Sequence, residues 1–347
     1  EKTCREIEET NLGGGPRTKI IALVGIAGTT ETGNIDNLKE MRKIADRYKT
    51  HFHVDAAWGG SVLLADDFRY LFSGIEKADS VTVDAHKLLY APPSLGMVFF
   101  RNGTELKALM HNSNYIIRPD SVDLGRFSLE GSRPFASLKP WATIKIFGKH
   151  GFSLIFEHAF ELTSVLRGLV EMHCNFEAMN QPELFIFNYR FAPKAIQEKL
   201  GKLMLKIQDA DSSDEKNNTV KIQYLKRIEN INSLLNELNI ELHKAIREED
   251  ESFVSRTMID MPQYFYQNCV ILRAITINPL TTPEILKEII EQQNKIGLRS
   301  TRHSSRAGST NSEHPAPAIL KGFHVLNCIN KGDHSGKNNG SITYCHS

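Results

Sequence analysis

The chain of 347 residues is long enough for two domains with substantial hydrophobic cores. It is 41% hydrophobic and 24% charged, which is ordinary for a globular protein. Its formal net charge of +1 supplies no whole-chain field that would attract nucleic acid or an anionic membrane. No apolar run approaches the roughly 20 residues that a membrane-crossing helix needs, and no signal peptide opens the chain.

Cysteine usage points to a reducing compartment. The five cysteines are scattered and show no CxxC spacing: Cys4, Cys174, Cys269, Cys328 and Cys345. An odd, scattered set argues against a disulfide framework and against a zinc cage, so we expect a cytoplasmic protein. The chain starts at Glu1 without a methionine, and we expect it to be a piece of a longer protein.

The first third of the chain predicts alternating strands and helices. Residues 1–18 are polar and include the loop signal GGGP, which we interpret as a plain turn. Short apolar runs then predict strands at residues 19–26, 52–56, 80–83 and 96–100, the last of them turning back antiparallel. Asp36 or Asn37 can cap a helix that runs to Tyr48, and a loop with a short helix extends to about residue 75. The alternation predicts an α/β fold with a largely parallel sheet, whose first strand is buried on both faces.

The rest of the chain predicts a second, smaller α/β domain. We expect a long helix at 137–173 that is interrupted near Gly148, a strand at 183–191, and a polar linker at 201–219. A periodic helix at 220–246, strands at 255–259 and 270–277, and a helix opening at Thr282-Pro283 follow. From about residue 299 the composition predicts disorder. The predicted division is a large domain at 1–136, an inter-domain helix and small domain at 137–297, and a disordered tail at 298–347.

An aspartate and a lysine follow two neighbouring strands of the predicted sheet. Asp55 ends the second strand, and Lys87 comes shortly after the third. Ligands of open α/β sheets bind at the carboxyl ends of strands, so both side chains are expected at one edge. A buried lysine can become nucleophilic enough to form a Schiff base, while a carboxylate can pair with a protonated pyridine nitrogen. The pair therefore suits a pyridine aldehyde cofactor.

Four other side chains on or after these strands have less specific signals. Thr30 follows the first predicted strand, and its hydroxyl could hold Asp55 in place, although a loop threonine is an equal alternative. His86 could bind a phosphate or a substrate carboxylate. His51 and His53 alternate on one strand face, but no third ligand is evident, and we expect no metal site.

Several motifs together resemble the pyridoxal-phosphate-dependent group II amino-acid decarboxylases. The resemblance covers roughly residues 15–297 and is carried by AGTTETGNID, HVDAAWGG, GIEKADSVTVDAHK and GSRPFASLKPWATIKIFGKHG, with FNYRFAP and LRAITINPLTTPEIL downstream. It implies the fold-type I architecture (aspartate aminotransferase-like), with a mostly parallel sheet in the large domain and a smaller C-terminal α/β domain. Residues 1–136 would then be part of the cofactor-binding domain.

The resemblance assigns a role to each candidate residue. Lys87 corresponds to the lysine that carries pyridoxal 5'-phosphate, and Asp55 to the partner of the pyridine nitrogen. Ala57 corresponds to the small residue packed on one face of the ring, and Thr30 to the hydroxyl near the aspartate. His86 corresponds to the cofactor-contacting residue before the lysine, so Lys87 and His86 are the expected catalytic residues.

The implied reaction is decarboxylation of an L-amino acid to a primary amine and carbon dioxide, in a homodimer without nucleic-acid or membrane partners. Substrate choice cannot be assigned, and the candidate carboxylate anchors are Arg118, Arg126, Arg133 and Arg190. In the family, the phosphate-binding loop and a ring-stacking histidine precede the point at which this chain begins. We therefore expect an exposed sheet edge, and a catalytically incomplete fragment is one alternative. The others are an aminotransferase or lyase of the same fold and, less favoured without a GxGxxG motif, a nicotinamide-binding domain.

Overall fold

The structure is a computed structural model that describes residues 1–13, 18–111, 118, 122, 124–128, 130, 132–209 and 215–306, with the backbone alone at 215–217 and 302–306. Its helices and strands, in chain order, are α1 (Lys2–Leu12), β1 (Ala22–Ile26), α2 (Leu38–Arg47), β2 (His51–Asp55), β3 (Ser80–Asp84), β4 (Gly96–Phe100), α3 (Leu138–Met172), β5 (Phe176–Ala178), β6 (Ile186–Phe191), α4 (Lys194–Asp209), α5 (Glu215–Glu249), β7 (Ser255–Met261), β8 (Gln267–Ile275) and α6 (Pro283–Arg306).

The first sheet has the strand order β1-β2-β3-β4. The pairs β1–β2 and β2–β3 are parallel, and β4 runs antiparallel to β3, which confirms the predicted, largely parallel α/β sheet. In this register Asp55 lies between Ile26 and Thr82, and Asp84 lies opposite Gly96. The carboxyl ends of β2 and β3 therefore deliver Asp55 and Asp84 to the same edge.

Helix α2 forms where its cap and its apolar stripe predict it. The side chain of Asn37 accepts a hydrogen bond from the backbone N–H of Glu40 at 3.2 Å, which satisfies a free donor of the first turn. Leu38 and Ala45 are buried. The helix packs so closely on β1 that a Cβ placed on Gly25 would lie 3.0 Å from the Leu38 side chain.

Strand β1 is not buried on both faces, so that prediction is wrong. Side chains alternate along a strand, and Ala22, Val24 and Ile26 point away from the face that α2 covers. Val24 is 54% exposed and Ile26 is 36% exposed. β1 is an end strand of this sheet among the described residues, in agreement with the expected exposed edge.

The core around the first sheet is built from aromatic and aliphatic side chains of the strands, of the connections and of α3. Fully buried members are Phe52, Val54, Phe72, Leu88, Phe152, Phe156 and Phe185. Helix α3 is broken at Gly148, whose φ of 61° and ψ of 177° are not helical, as the sequence predicts. The residues of α3 that enter this core lie after the break.

The chain folds into two compact units that are not consecutive halves. Among the described residues, the first comprises 1–172, 178–189 and 273–287, and the second comprises 173–177, 190–272 and 288–306. Helix α3 thus groups with the first sheet rather than with residues 190–272. The predicted division at residues 136 and 297 stays a prediction.

The second sheet has the order β5-β6-β8-β7, and every residue of β6 is buried. The segment that follows β6 corrects one prediction. The predicted linker at 201–219 is helical at 201–209 and at 215–219. Helix α4 extends to Asp209 and α5 begins at Glu215, while 210–214 lie outside the described residues. Ile196, Leu200, Leu203 and Ile207 form the buried stripe of α4, and the polar residues between them conceal it in the sequence.

The chain ends also contain more helix than the sequence predicts. The polar segment 1–18 contains α1, in which Cys4 is the buried residue. Helix α6 continues to Arg306, into the segment from about residue 299 for which the composition predicts disorder. The Ser300 hydroxyl donates to the carbonyl of Ile296 at 3.2 Å, which lets serine and threonine continue the helix. The remainder of the predicted tail, 307–347, lies outside the described residues.

Candidate active site

Backbone hydrogen bonds join the loops at the carboxyl edge of the first sheet. The carbonyl oxygen of Asp55 accepts a hydrogen bond from the N–H of Ala27 at 2.8 Å. The N–H of Asp84 donates to the carbonyl oxygen of Ala57 at 3.0 Å. These bonds fix the end of β2 against β1 on one side and against β3 on the other.

The Asp55 side chain presents an open oxygen at this edge. Its Oδ1 accepts a hydrogen bond from the backbone N–H of Ala57 at 3.0 Å, which fixes the carboxylate. Among the described residues, Oδ2 has no hydrogen-bond partner. Asp55 and Ala57 are both half-buried, so the carboxylate remains accessible to a ligand that passes over the small Ala57 side chain.

A tight turn follows Ala57 and closes the site from one side. Gly59 donates its N–H to the carbonyl of Ala27 at 3.2 Å. A Cβ at Gly59 would lie 2.4 Å from that same oxygen, closer than real Cβ contacts, so only glycine allows this approach. Gly59 therefore holds the segment after Asp55 against the end of β1.

Lys87 forms an ion pair with Asp84. Its Nζ lies 3.0 Å from Oδ2 of Asp84, and the side chains are 37% and 18% exposed, respectively. The backbone N–H of Lys87 also donates to the carbonyl of Asp84 at 3.2 Å, and buried Leu88 and Leu89 anchor the turn from the other side. Sequence reasoning missed Asp84, although its position three residues before Lys87 in DAHK was a usable signal.

His86 is held beside the same carboxylate. Its Nδ1 lies 2.7 Å from the carbonyl oxygen of Leu95 and 3.2 Å from the backbone nitrogen of that residue. Its Nε2 lies 4.0 Å from Oδ2 of Asp84. The imidazole is thus oriented by the backbone ahead of β4. Its predicted contact with a cofactor or substrate stays a prediction.

Thr30 does not support Asp55 in this structure. Thr30 is exposed, and its hydroxyl has no hydrogen-bond partner among the described residues. The loop is closed by Thr29 instead, whose hydroxyl lies 2.7 Å from that of Thr32 and accepts the N–H of Asn34 at 3.0 Å. The prediction that the Thr30 hydroxyl holds Asp55 in place is therefore wrong. A contact of Thr30 with a cofactor stays a prediction.

The two histidines of β2 bind a serine. His51 Nε2 and His53 Nδ1 each lie 2.8 Å from the hydroxyl of Ser80, and His53 Nε2 lies 3.1 Å from the hydroxyl of Thr82. Burial lowers the pKa of His53, and the charge of Asp55 opposes that shift. Across the part of the chain that the structure describes, no three or more candidate ligands are grouped for a metal ion.

One of the expected substrate anchors is already engaged. Arg190 has no exposed side-chain surface, and its Nε donates to Glu177 at 2.8 Å, so its expected role as a carboxylate anchor is wrong. A guanidinium buried this deeply is retained only with such a partner. Arg126 donates to the carbonyl of Arg118 at 2.6 Å, and Arg133 is exposed. For these three the anchor role stays a prediction.

The donor set fits a pyridoxal ring. Asp55 offers a carboxylate oxygen for a protonated ring nitrogen, Lys87 offers a partly exposed amine, and Ala57 leaves room for a flat ring. They follow adjacent parallel strands at the edge where ligands of such sheets bind.

Among the described residues, no helix combines the length and apolarity of a membrane span.

Comparison with known proteins shows which family this chain resembles. The family model described as "Pyridoxal-dependent decarboxylase conserved domain" matches residues 6–191. An aspartate 1-decarboxylase of Aliivibrio fischeri is 37% identical over 282 residues, which is 81% of this chain and 48% of that protein. A cysteine sulfinic acid decarboxylase of Mus musculus is 33% identical over 180 residues, covering 50% of this chain and 36% of the relative.

Solved structures show the same fold. A crystal structure of mouse CSAD superposes with a TM-score of 0.67 at 24% identity, covering 84% of this chain and 55% of that chain. A structure of Oryza sativa TDC with PLP and tryptamine gives a TM-score of 0.66 at 18% identity, covering 86% and 54%. The fold-type I architecture expected from the sequence is thereby confirmed. The chain spans about half the length of the relatives it matches, or less.

Proposed function

Because this chain belongs to the family of pyridoxal-dependent decarboxylases, we propose that it carries part of an active site that removes the α-carboxylate of an amino acid. The observation that supports this best is the joint placement of Asp55 and Lys87 at one sheet edge, with an open oxygen on the first and a partly exposed amine on the second. The products would be a primary amine and carbon dioxide.

Each residue has a defined task in this proposal. Lys87 supplies the amine that binds the cofactor covalently, and Asp55 supplies the negative charge opposite the ring nitrogen. Ala57 keeps one face of the site free of side-chain bulk, and His86 presents an imidazole that its contacts with Leu95 hold in place. When bound, pyridoxal 5'-phosphate supplies an electron-accepting ring for the electron pair of the broken carbon–carboxylate bond. The protein contributes orientation and charge.

An acidic amino acid is the first substrate to test. Two of the matched relatives are named for aspartate and for cysteine sulfinic acid, both of which carry a second acidic group. Arg118, Arg126 and Arg133 remain the candidate partners of a carboxylate. We include Thr30 among the cofactor-contacting residues, because it is exposed on the loop that follows β1.

We also propose a homodimer in a reducing compartment such as the cytoplasm. The first part of α3, before its break at Gly148, exposes large apolar side chains: Leu138, Trp141, Ile144, Ile146 and Phe147 are 49%, 59%, 42%, 75% and 42% exposed. Several large apolar side chains exposed on one helical segment are consistent with an interface. The cysteines that the structure describes, Cys4, Cys174 and Cys269, are free thiols, which supports the compartment.

The reaction can be tested with aspartate that carries a carbon label in its α-carboxylate. The chain is incubated with pyridoxal 5'-phosphate, and labelled carbon dioxide and amine are measured together. Equal amounts of labelled carbon dioxide and amine, with neither product formed by Lys87→Ala, would support the proposal. A keto acid without labelled carbon dioxide would indicate an aminotransferase, and the absence of any product from aspartate and from cysteine sulfinic acid would contradict decarboxylation of an acidic amino acid by this chain.

A further inference from the structure

Asp84 occupies a position at the site that the proposed reaction does not yet use. It is the last residue of β3, its backbone N–H is bonded to Ala57, and its side chain is 18% exposed. Across the antiparallel pair lies Gly96, where a Cβ would come 3.1 Å from Oδ1 of Asp84. The carboxylate is therefore fixed by the strand end, and the absence of a side chain on its neighbour leaves it room.

The ion pair joins this fixed carboxylate to the amine that the proposed function requires. Lys87 Nζ lies 3.0 Å from Oδ2 of Asp84, at the distance of a charge-assisted hydrogen bond. A lysine carries a long, flexible stem, and a carboxylate partner restricts where its amine rests. The imidazole of His86 is a second titratable group beside Asp84, and its Nε2 lies 4.0 Å from the same oxygen.

We propose that Asp84 is a positioning residue for Lys87, which holds the amine as an ion pair at the sheet edge until an aldehyde takes it. The proposal rests on the proposed function, which makes Lys87 the amine that receives the aldehyde of the cofactor. The Nζ of Lys87 must leave its contact with Oδ2 of Asp84 before it can attack a carbonyl carbon. Asp84 therefore slows the reaction of Lys87 with any aldehyde while it fixes the location of the amine.

The test uses the whole 347-residue chain and a probe that does not depend on cofactor binding. Trace formaldehyde with cyanoborohydride methylates lysines: the amine attacks the carbonyl carbon, water leaves, and the borohydride supplies the hydride. The rate at Lys87 is measured by peptide mass spectrometry relative to Lys107, which is exposed on another segment. We expect D84N to accelerate Lys87 about 1.5-fold to fivefold, the range for a partly exposed ion pair.

A matched control comes from another lysine–aspartate pair in the same compact unit. Lys149 is paired with Asp66, and both side chains are more than half exposed. D66N should leave the rate at Lys87 unchanged, and D84N should leave the rate at Lys149 unchanged. D84E retains the charge and should return Lys87 toward the wild-type rate, and D84S repeats the test with a smaller side chain.

Salt separates an ion pair from a purely structural role. Added salt screens the pair, so it should accelerate Lys87 in the wild type and not in D84N. Equal rates at Lys87 in wild type, D84N and D84S, with no salt dependence, would overturn the proposal. Trapping of pyridoxal 5'-phosphate on Lys87 is scored separately: its failure alongside a faster D84N would count against the proposed function and leave the role of Asp84 intact.

Discussion

The backbone N–H of Asp84 donates a hydrogen bond to the carbonyl oxygen of Ala57 at 3.0 Å. This bond connects the two halves of the candidate site, because Ala57 in turn donates its own N–H to the Asp55 carboxylate. Lys87 is paired with the side chain of Asp84. The acid and the amine of the proposed site are thus linked through a short path of contacts at the strand ends.

Asp55→Asn tests the charge at one end of that path. The amide oxygen can still accept the N–H of Ala57, so the local structure should persist while the negative charge is lost. We expect binding of pyridoxal 5'-phosphate to weaken at least about tenfold, equivalent to roughly 1.4 kcal/mol. Absorbance titration measures it, and Asp67→Asn, a change at an exposed aspartate, is the control. Equal affinities in both variants would contradict the assigned role.

Gly59→Ala tests the close turn after Asp55. The added Cβ would meet the carbonyl oxygen of Ala27 at 2.4 Å, and backbone atoms cannot move aside as a side chain can. We expect a loss of about 1–3 kcal/mol in the free energy of unfolding, measured by urea denaturation. Gly103 is a matched control, because it also begins a 3₁₀ segment and an added Cβ there would meet nothing within 4 Å. A similar loss in both variants would refute the steric explanation.

Glu177→Gln tests the buried ion pair of the second compact unit. In the variant, the guanidinium of Arg190 stays fully buried but loses its carboxylate partner. We expect the free energy of unfolding to fall by about 3–5 kcal/mol. The exposed pair of Glu249 and Arg299, at 3.2 Å in the same unit, provides the comparison. Glu249→Gln should cost less than about 1 kcal/mol, and the expectation fails if the two variants lose the same amount.

His53 should make stability depend on pH. Burial lowers its pKa in the folded chain, so on acidification the unfolded chain takes up the proton first. The neutral His53 ring contributes to the free energy of unfolding above the ordinary histidine pKa of about 6.5. This contribution is lost as the pH falls through the lowered pKa of the folded chain. Denaturation curves between neutral and mildly acidic pH should show a smaller loss in His53→Gln than in the wild type.

The control for this effect is His150→Gln, a change at an exposed histidine. Its stability should follow the wild-type pH dependence, because other shifted histidines such as His173 and His243 act equally in both proteins. A pH dependence in His53→Gln that matches the wild type would show that the buried ring contributes nothing to it.

Local signals made the first sheet predictable from the sequence. The strand at residues 96–100 has the predicted bounds, and Asn37 caps α2 as expected, because apolar runs and caps act through neighbouring residues. The position of Asp55 at a strand end followed from the same runs. Exposure of β1 could not be predicted in this way, since burial depends on which segments cover the sheet in three dimensions.

The site itself was only partly predictable. Motif spacing pointed to Asp55 and Lys87, but the choice between Thr29 and Thr30 in closing the loop depends on the turn geometry around Gly28 and Gly33, both with positive φ. The partner of Lys87 depends on side-chain direction, which the sequence does not contain. For the same reason an arginine that looked like a substrate anchor, Arg190, is a buried structural residue.

The central claim is that Lys87 is the cofactor attachment point, and covalent trapping tests it most directly. The chain is mixed with pyridoxal 5'-phosphate, reduced with borohydride, digested and mapped by mass spectrometry. We predict a pyridoxyl group on the peptide that contains Lys87, abolished in Lys87→Arg and diminished in Asp55→Asn. A pyridoxyl group spread over exposed lysines, with no enrichment at Lys87, would contradict the assignment.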